Sequence, residues 1–202
     1  YRRDRCAQGK GERTWVNVAK GRGSLTIYSR GVNIERWVVV WGILDDVDRT
    51  LKEACLEAQQ GQVVSAVNFN SPGQVVIAGN KEAVDRASVL CKEKGAKRAL
   101  PLNVSAPSHC SLMKPAAEKL AAQLQSIEFS KPEISIVQNV TAKIESDPQA
   151  IKQNLIEQLY MPVLWTNTVQ LLVSEGVART VECGPGKILS GLNRRIDKSL
   201  SV

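Results

Sequence analysis

Residues 37–104 alternate between strand-like and helix-like patterning in the order βαββαβ, and that order restricts the chain to a small set of α/β folds. Residues 37–44 are a β-rich run. Asp45-Asp46 then opens a helical stretch to about residue 60, with Val47, Leu51, Ala54, Cys55 and Ala58 recurring on one face. Residues 62–68 are strand-like, Ser71-Pro72-Gly73 is a turn, and residues 74–78 form a short strand ending at Gly79. Asn80 is placed to cap a helix running through Lys94, which Gly95 stops, and residues 96–104 supply a further strand. This is the order of a ferredoxin-like, split-βαβ unit. Beyond it the pattern predicts helices at 113–126 and 148–159, a strand at 134–138 and a short helix near 165–174. A strand at 178–182 and a helix at 187–199 complete it. A small subdomain over 37–104 thus precedes, or interrupts, a larger α/β domain continuing over 105–202.

The beginning of the chain reads differently. Residues 1–42 hold three of the four tryptophans, with Arg/Gly clusters and no sustained period, and the irregular basic head is set at 1–36. Nine Lys+Arg against three Asp+Glu in residues 1–42 account for six of the seven net positive charges, so the body is nearly neutral. A basic surface for nucleic acid is therefore unsupported there. RNA-binding modules share the βαββαβ order but stack bases on aromatic residues of their central strands. The equivalent strand here, Gln74-Val75-Val76-Ile77-Ala78-Gly79, has neither an aromatic nor a basic residue. Two explanations of the head stand: a basic disordered extension, or frame-shifted sequence joined to an authentic body.

No apolar run approaches the ~18–20 residues of a membrane span, and no secretory signal precedes the body. Opening on Tyr1, the chain reads as a piece of something longer. Five scattered cysteines (Cys6, Cys55, Cys91, Cys110, Cys183) form no C-x-x-C pair, and there is one histidine, so neither a metal site nor a cofactor is expected. Reduced thiols, no membrane partner and a cytoplasmic monomer fit this composition.

That histidine, His109, lies between a strand-like run and an amphipathic helix, where a general base would be placed. Taken alone it is equally a polar turn residue satisfied by backbone groups. Cys110 beside it does not make a Cys–His nucleophile, because adjacent residues of an extended chain point to opposite sides.

The surrounding segments decide between these readings. They are the run from Gly61 to Gly79 containing Val67-Asn68-Phe69-Asn70-Ser71-Pro72-Gly73; Gly95-Ala96-Lys97-Arg98-Ala99-Leu100-Pro101-Leu102; and Pro107-Ser108-His109-Cys110 within residues 104–115. Gln158-Leu159-Tyr160, Pro162-Val163, Trp165 and Gly184-Pro185-Gly186-Lys187 follow in the same order. From about Ile43 onward the chain resembles the bacterial malonyl-CoA:acyl-carrier-protein transacylase family. The resemblance implies a partial α/β-hydrolase-like acyltransferase core carrying the ferredoxin-like subdomain. It implies transfer of a malonyl group from malonyl-CoA to the phosphopantetheine thiol of acyl carrier protein in fatty acid biosynthesis, through a seryl acyl-enzyme. It places His109 on the family's general base and Gln158 on the residue that supports it, a neutral acceptor that orients the ring's tautomer.

Other positions keep two readings. Asn68 and Asn70 either line the thioester site or serve turn chemistry. Gly184-Pro185-Gly186 either cradles phosphate on helix amides or makes a sharp turn. Lys94, Lys97 and Arg98 are candidate contacts for an acidic carrier. The family's G-x-S-x-G nucleophile elbow occurs nowhere in this sequence. Its place, with the oxyanion donors and the carboxylate-binding arginine, is upstream of residue 43. The chain alone is therefore expected to be inactive. A thioester hydrolase of the same fold, or a non-catalytic binder built on the ferredoxin-like unit, are the alternatives.

Overall fold

The computed structural model describes residues 35–42, 47–102, 106–184 and 186–202. Most of the basic head, the Asp45-Asp46 helix opening, residues 103–105 and Pro185 lie outside these. The protein is mixed α/β, in the order β1 (Glu35–Trp41), α1 (Val47–Ala58), β2 (Val64–Ser71), β3 (Gln74–Asn80), α2 (Lys81–Glu93) and β4 (Arg98–Leu102). A 3-10 turn (Ser111–Met113) and α3 (Lys114–Leu124) come next, then the two-residue strands β5 (Ile136–Val137) and β6 (Ile144–Glu145). The helices α4 (Pro148–Glu157), α5 (Trp165–Ser174) and α6 (Ile188–Ile196) complete the described chain.

The first four strands form one antiparallel sheet in the order β2-β3-β1-β4. Period-two patterning in β1 divides its residues between two apolar layers. Val38 and Val40 join Leu51, Ala54, Cys55 and Ala58 of α1 and Ala83, Val84, Ala87 and Cys91 of α2. Trp37 and Val39 join Val67, Val76, Ala78 and Cys110 on the opposite face. Both helices thus cover one side of the sheet. Each fully buried side chain such as Leu51 or Ile77 contributes about 1.5–3 kcal/mol over its exposed state.

A bulge in β2 disturbs this alternation. Ala66 pairs with Ile77 and Asn68 with Val76, which leaves Val67 as the extra residue. Ala66 and Phe69 therefore serve the helix-covered side, while Val67 turns to the other layer. Asn68, opposite Val76, lies on the same side as Val67.

Local polar chemistry ends the elements. Arg86 donates to the Ala58 carbonyl at 3.0 and 2.8 Å and to the Gln59 carbonyl at 3.2 Å, satisfying orphan acceptors at the end of α1. Asn80 does not cap α2, contrary to the sequence expectation. Its side-chain oxygen instead accepts from the Val63 amide at 2.8 Å and ties the entrance of β2 to the exit of β3. Asp147 does cap α4, accepting from Ala150 N at 2.9 Å.

The second half differs from expectation at two places. Residues 178–182 make no strand, only a single parallel bridge between Arg179 and Ser201. Of the strand expected at 134–138 only Ile136–Val137 forms, as β5, and it pairs with β6, an element the pattern does not predict. The segment before α5 joins β2 through the Asn68–Val163 bridge, and α5 itself through Thr166 Oγ1 donating to the Phe69 carbonyl at 3.1 Å.

Candidate active site

His109 sits at the end of a tight turn rather than on regular structure. Ser108 N donates to the Ala106 carbonyl at 2.9 Å, and the Trp37 indole N–H donates to that same carbonyl at 2.7 Å. His109 adopts φ 68°, a left-handed conformation that costs a non-glycine residue on the order of 1 kcal/mol and persists only where surroundings impose it. Here they do. Its amide donates to the Leu159 carbonyl at 2.8 Å, and its ring Nδ1 lies 2.6 Å from the Gln158 carbonyl. Backbone and ring are thus both held by successive carbonyls at the end of α4.

A carbonyl can only accept, so Nδ1 carries the proton and the neutral ring's lone pair is on Nε2. Gln158 is the C-cap of α4, so the ring is held at that helix's C-terminal end. The contact at residue 158 is to its main-chain oxygen. Lys114 Nζ stands 6.0 Å from the Tyr160 ring centroid, a second link between the start of α3 and the segment after α4.

Cys110 is buried, and its Sγ donates to the Pro107 carbonyl at 3.1 Å, pointing into the layer beneath the turn. Cys55 and Cys91 lie in the other layer. Burial pushes the Cys55 thiol up to about 12, reinforced by Cys91, and burial also pushes Cys91 up to about 11.

Asn68 shares the sheet side of Cys110, and its buried Oδ1 has no hydrogen-bond partner among the described residues. Asn70, half-buried, falls at the second irregularity of β2, where no residue of β3 stands opposite it. Gly184 and Gly186 are exposed, with Gly186 at φ 94°. The α6 amides beyond them are already occupied. The Glu182 carboxylate accepts from Leu189 N at 3.2 Å, Ser190 N at 2.9 Å and Ser190 Oγ at 2.9 Å. These bonds hold its carboxyl below the usual range, the Ser190 amide contributing most. A phosphate cradle at this helix end is thereby disfavoured, since a carboxylate fills it. Among the described residues no three His, Cys, Asp or Glu side chains gather as a metal site.

Nothing in the residue order signals the main-chain tether on His109 or the Trp37 contact. The Glu182 cap does have a signal, an acidic residue ahead of a helix start.

Residues 27–192 match the acyl transferase domain family, a range that opens earlier than the resemblance noted from Ile43. The chain is 57% identical over 155 residues to the malonyl CoA-acyl carrier protein transacylase of Salmonella typhimurium, covering 77% of this chain and 50% of that one. The Bacillus subtilis protein of the same name is 45% identical over 144 residues, 71% of this chain and 45% of that one. Among solved structures, an acyl carrier protein S-malonyltransferase from Vibrio cholerae superposes with a TM-score of 0.80 at 54% identity. That match covers 83% of this chain and 54% of the other. A malonyl-transacylase in complex with a type II PKS acyl-carrier protein gives 0.80 at 53% identity, over 84% and 54% of the two chains. The chain spans about half the length of the curated relatives it matches. On the matched range and on these likenesses, it belongs to the acyl transferase domain family.

Proposed function

We propose that this chain is the carboxy-terminal part of a malonyl-CoA:acyl-carrier-protein transacylase, with His109 as its general base. The observation that carries the reading is the 2.6 Å contact from His109 Nδ1 to the Gln158 carbonyl, which leaves Nε2 as the basic nitrogen. In the whole enzyme, Nε2 takes the proton of a serine hydroxyl as that oxygen attacks the malonyl thioester carbonyl. The carbon–sulfur bond breaks, and the departing coenzyme A sulfur takes the proton from the imidazolium. The carrier's phosphopantetheine thiol then attacks the seryl ester, giving its proton to Nε2, which returns it to the serine oxygen. Gln158 acts as a positioning residue through its main chain. Asn68, whose buried oxygen lacks a donor among the described residues, lines the thioester site; Asn70 is the weaker candidate.

Residues 37–104 are read as a ferredoxin-like subdomain set beside the C-terminal part, 105–202, of an α/β-hydrolase-like core. The β2-β3-β1-β4 order and the two helices on one sheet side support this. Exposed Lys97 and Arg98 suit an acidic carrier, whereas Lys94 shares its charge with Glu57 at 3.3 Å. With no nucleophile elbow of its own, the chain incubated alone with malonyl-CoA forms no covalent adduct by intact mass. The test is a fusion of the upstream half of the Salmonella typhimurium relative to residues 43–202. There His109→Ala lowers malonyl loading of carrier protein by roughly a thousandfold or more. Undiminished loading would refute the assignment.

A further inference from the structure

We infer that Trp37 and Cys110 are positioning residues for His109: side-chain donors that clamp the carbonyls of Ala106 and Pro107 and hold the turn in the form that presents the ring to the Gln158 carbonyl. The inference deepens the functional reading above and rests on it for what the ring does. The clamp itself is geometry and stands apart from that reading.

Residues 106–110 belong to no helix or strand, and His109 bends there through φ 68°. Ordinary backbone conformations lie on the order of 1 kcal/mol lower for such a residue, so the segment relaxes unless something opposes it. Two carbonyls in succession are held by side chains. Trp37 Nε1 donates to the Ala106 carbonyl at 2.7 Å, and Cys110 Sγ donates to the Pro107 carbonyl at 3.1 Å. The donors arrive from opposite ends of the turn. Trp37 comes from β1, 69 residues ahead of Ala106, and Cys110 from the turn's own exit. Both sit in the same apolar layer, Trp37 8% and Cys110 1% exposed. Water competes poorly for donors so placed, and each would be left unpaired if the turn moved.

Holding these two carbonyls fixes the peptide planes on the way into His109. Its amide then meets the Leu159 carbonyl at 2.8 Å, and Nδ1 meets the Gln158 carbonyl at 2.6 Å. The Trp37 ring adds a wall, 75° from the imidazole plane with centroids 6.5 Å apart, against rotation of the ring away from that carbonyl. Position matters because a base displaced by about 1 Å loses on the order of a hundredfold in rate.

The test has two readouts. In the full chain, nitrogen NMR of the neutral imidazole reads the tautomer of the sole histidine. In a fusion of the upstream half of the Salmonella typhimurium relative to residues 35–202, which keeps β1, malonyl loading of carrier protein reads kcat and KM. Trp37→Phe and Cys110→Ala are each expected to release the ring from the single Nδ1-protonated form into a mixture of tautomers. Each also lowers kcat by about tenfold while KM changes by less than about twofold. Cys110→Ser keeps a donor and stays close to the parent in both readouts. Val84→Ala opens a cavity in the opposite apolar layer; it lowers the unfolding midpoint and leaves tautomer and kcat unchanged. The parent tautomer retained in either W37F or C110A overturns the clamp, and so does an equal shift in V84A. A shifted tautomer with unchanged kcat, in a fusion that His109→Ala inactivates, overturns the positioning role. A shifted tautomer in a fusion that His109→Ala leaves fully active keeps the clamp and refutes the catalytic reading.

Discussion

The Trp37 and His109 rings stand nearly perpendicular, 75° apart with centroids separated by 6.5 Å, while the same indole donates to Ala106 three residues before the histidine. One side chain of β1 therefore braces both the turn and the ring that the turn presents. Trp37→Phe keeps an aromatic edge but removes the N–H, and is expected to cost about 1 kcal/mol in denaturant melts. An unchanged midpoint would show that the Ala106 bond contributes nothing net.

As the sole histidine, His109 is its own spectroscopic label. Nitrogen NMR of the imidazole at a pH where the ring is neutral should show Nδ1 protonated and Nε2 unprotonated, as the Gln158 carbonyl requires. The opposite tautomer would mean that this contact is not made in solution.

Gly79 offers a steric test. A Cβ built there would lie 2.0 Å from the Val63 carbonyl oxygen and 2.8 Å from the Val64 Cα, backbone atoms that cannot step aside without breaking the β2–β3 ladder. Gly79→Ala is expected to destabilise the fold by about 3 kcal/mol or more in thermal or urea unfolding. A melt within error of the parent would contradict the observed register.

Glu182 predicts a pH dependence. Its carboxyl is lowered in the folded state by the Ser190 and Leu189 donors, so the ionised form is favoured by folding. That stabilisation is fully present above the ordinary carboxylate range and is lost as pH falls through the lowered folded value. The stability gap between the parent and E182Q should accordingly be larger at neutral pH than in acid. A gap that widens on acidification would reverse the assigned sign.

The thiols give a chemical readout. With Cys6 and Cys183 replaced by serine, the remaining thiols, Cys55, Cys91 and Cys110, are all buried. Such a chain should resist a thiol-specific disulfide reagent at mildly alkaline pH until denaturant is added. Rapid native labelling would show that one of the two apolar layers flanking the sheet opens readily.

Much of the first half was legible because each element carries its own period. The Leu51, Ala54, Cys55 and Ala58 face of α1 is buried as the spacing predicts, and the order of the six elements follows. What escaped depended on atoms that sequence does not distinguish. Asn80 has the composition of a cap, but competition from the Val63 amide redirects it. Residues 178–182 have strand composition, yet a strand needs neighbours, and Ser201 alone supplies one bridge. The support of His109 comes from a carbonyl that every residue type possesses, so nothing in the letter at position 158 reveals it.

The extra residue at Val67 carries a consequence for how β2 tolerates change. Val64, Ala66 and Phe69 face the helices, and Asn68 shares the other side with Val67. Deleting Val67 would join the Ala66–Ile77 and Asn68–Val76 pairs into an unbroken ladder and leave every remaining side chain on its own face. A deletion there should therefore cost little beyond the buried contacts of Val67, whereas removing a residue from the regular part of the strand would misassign a whole row at once.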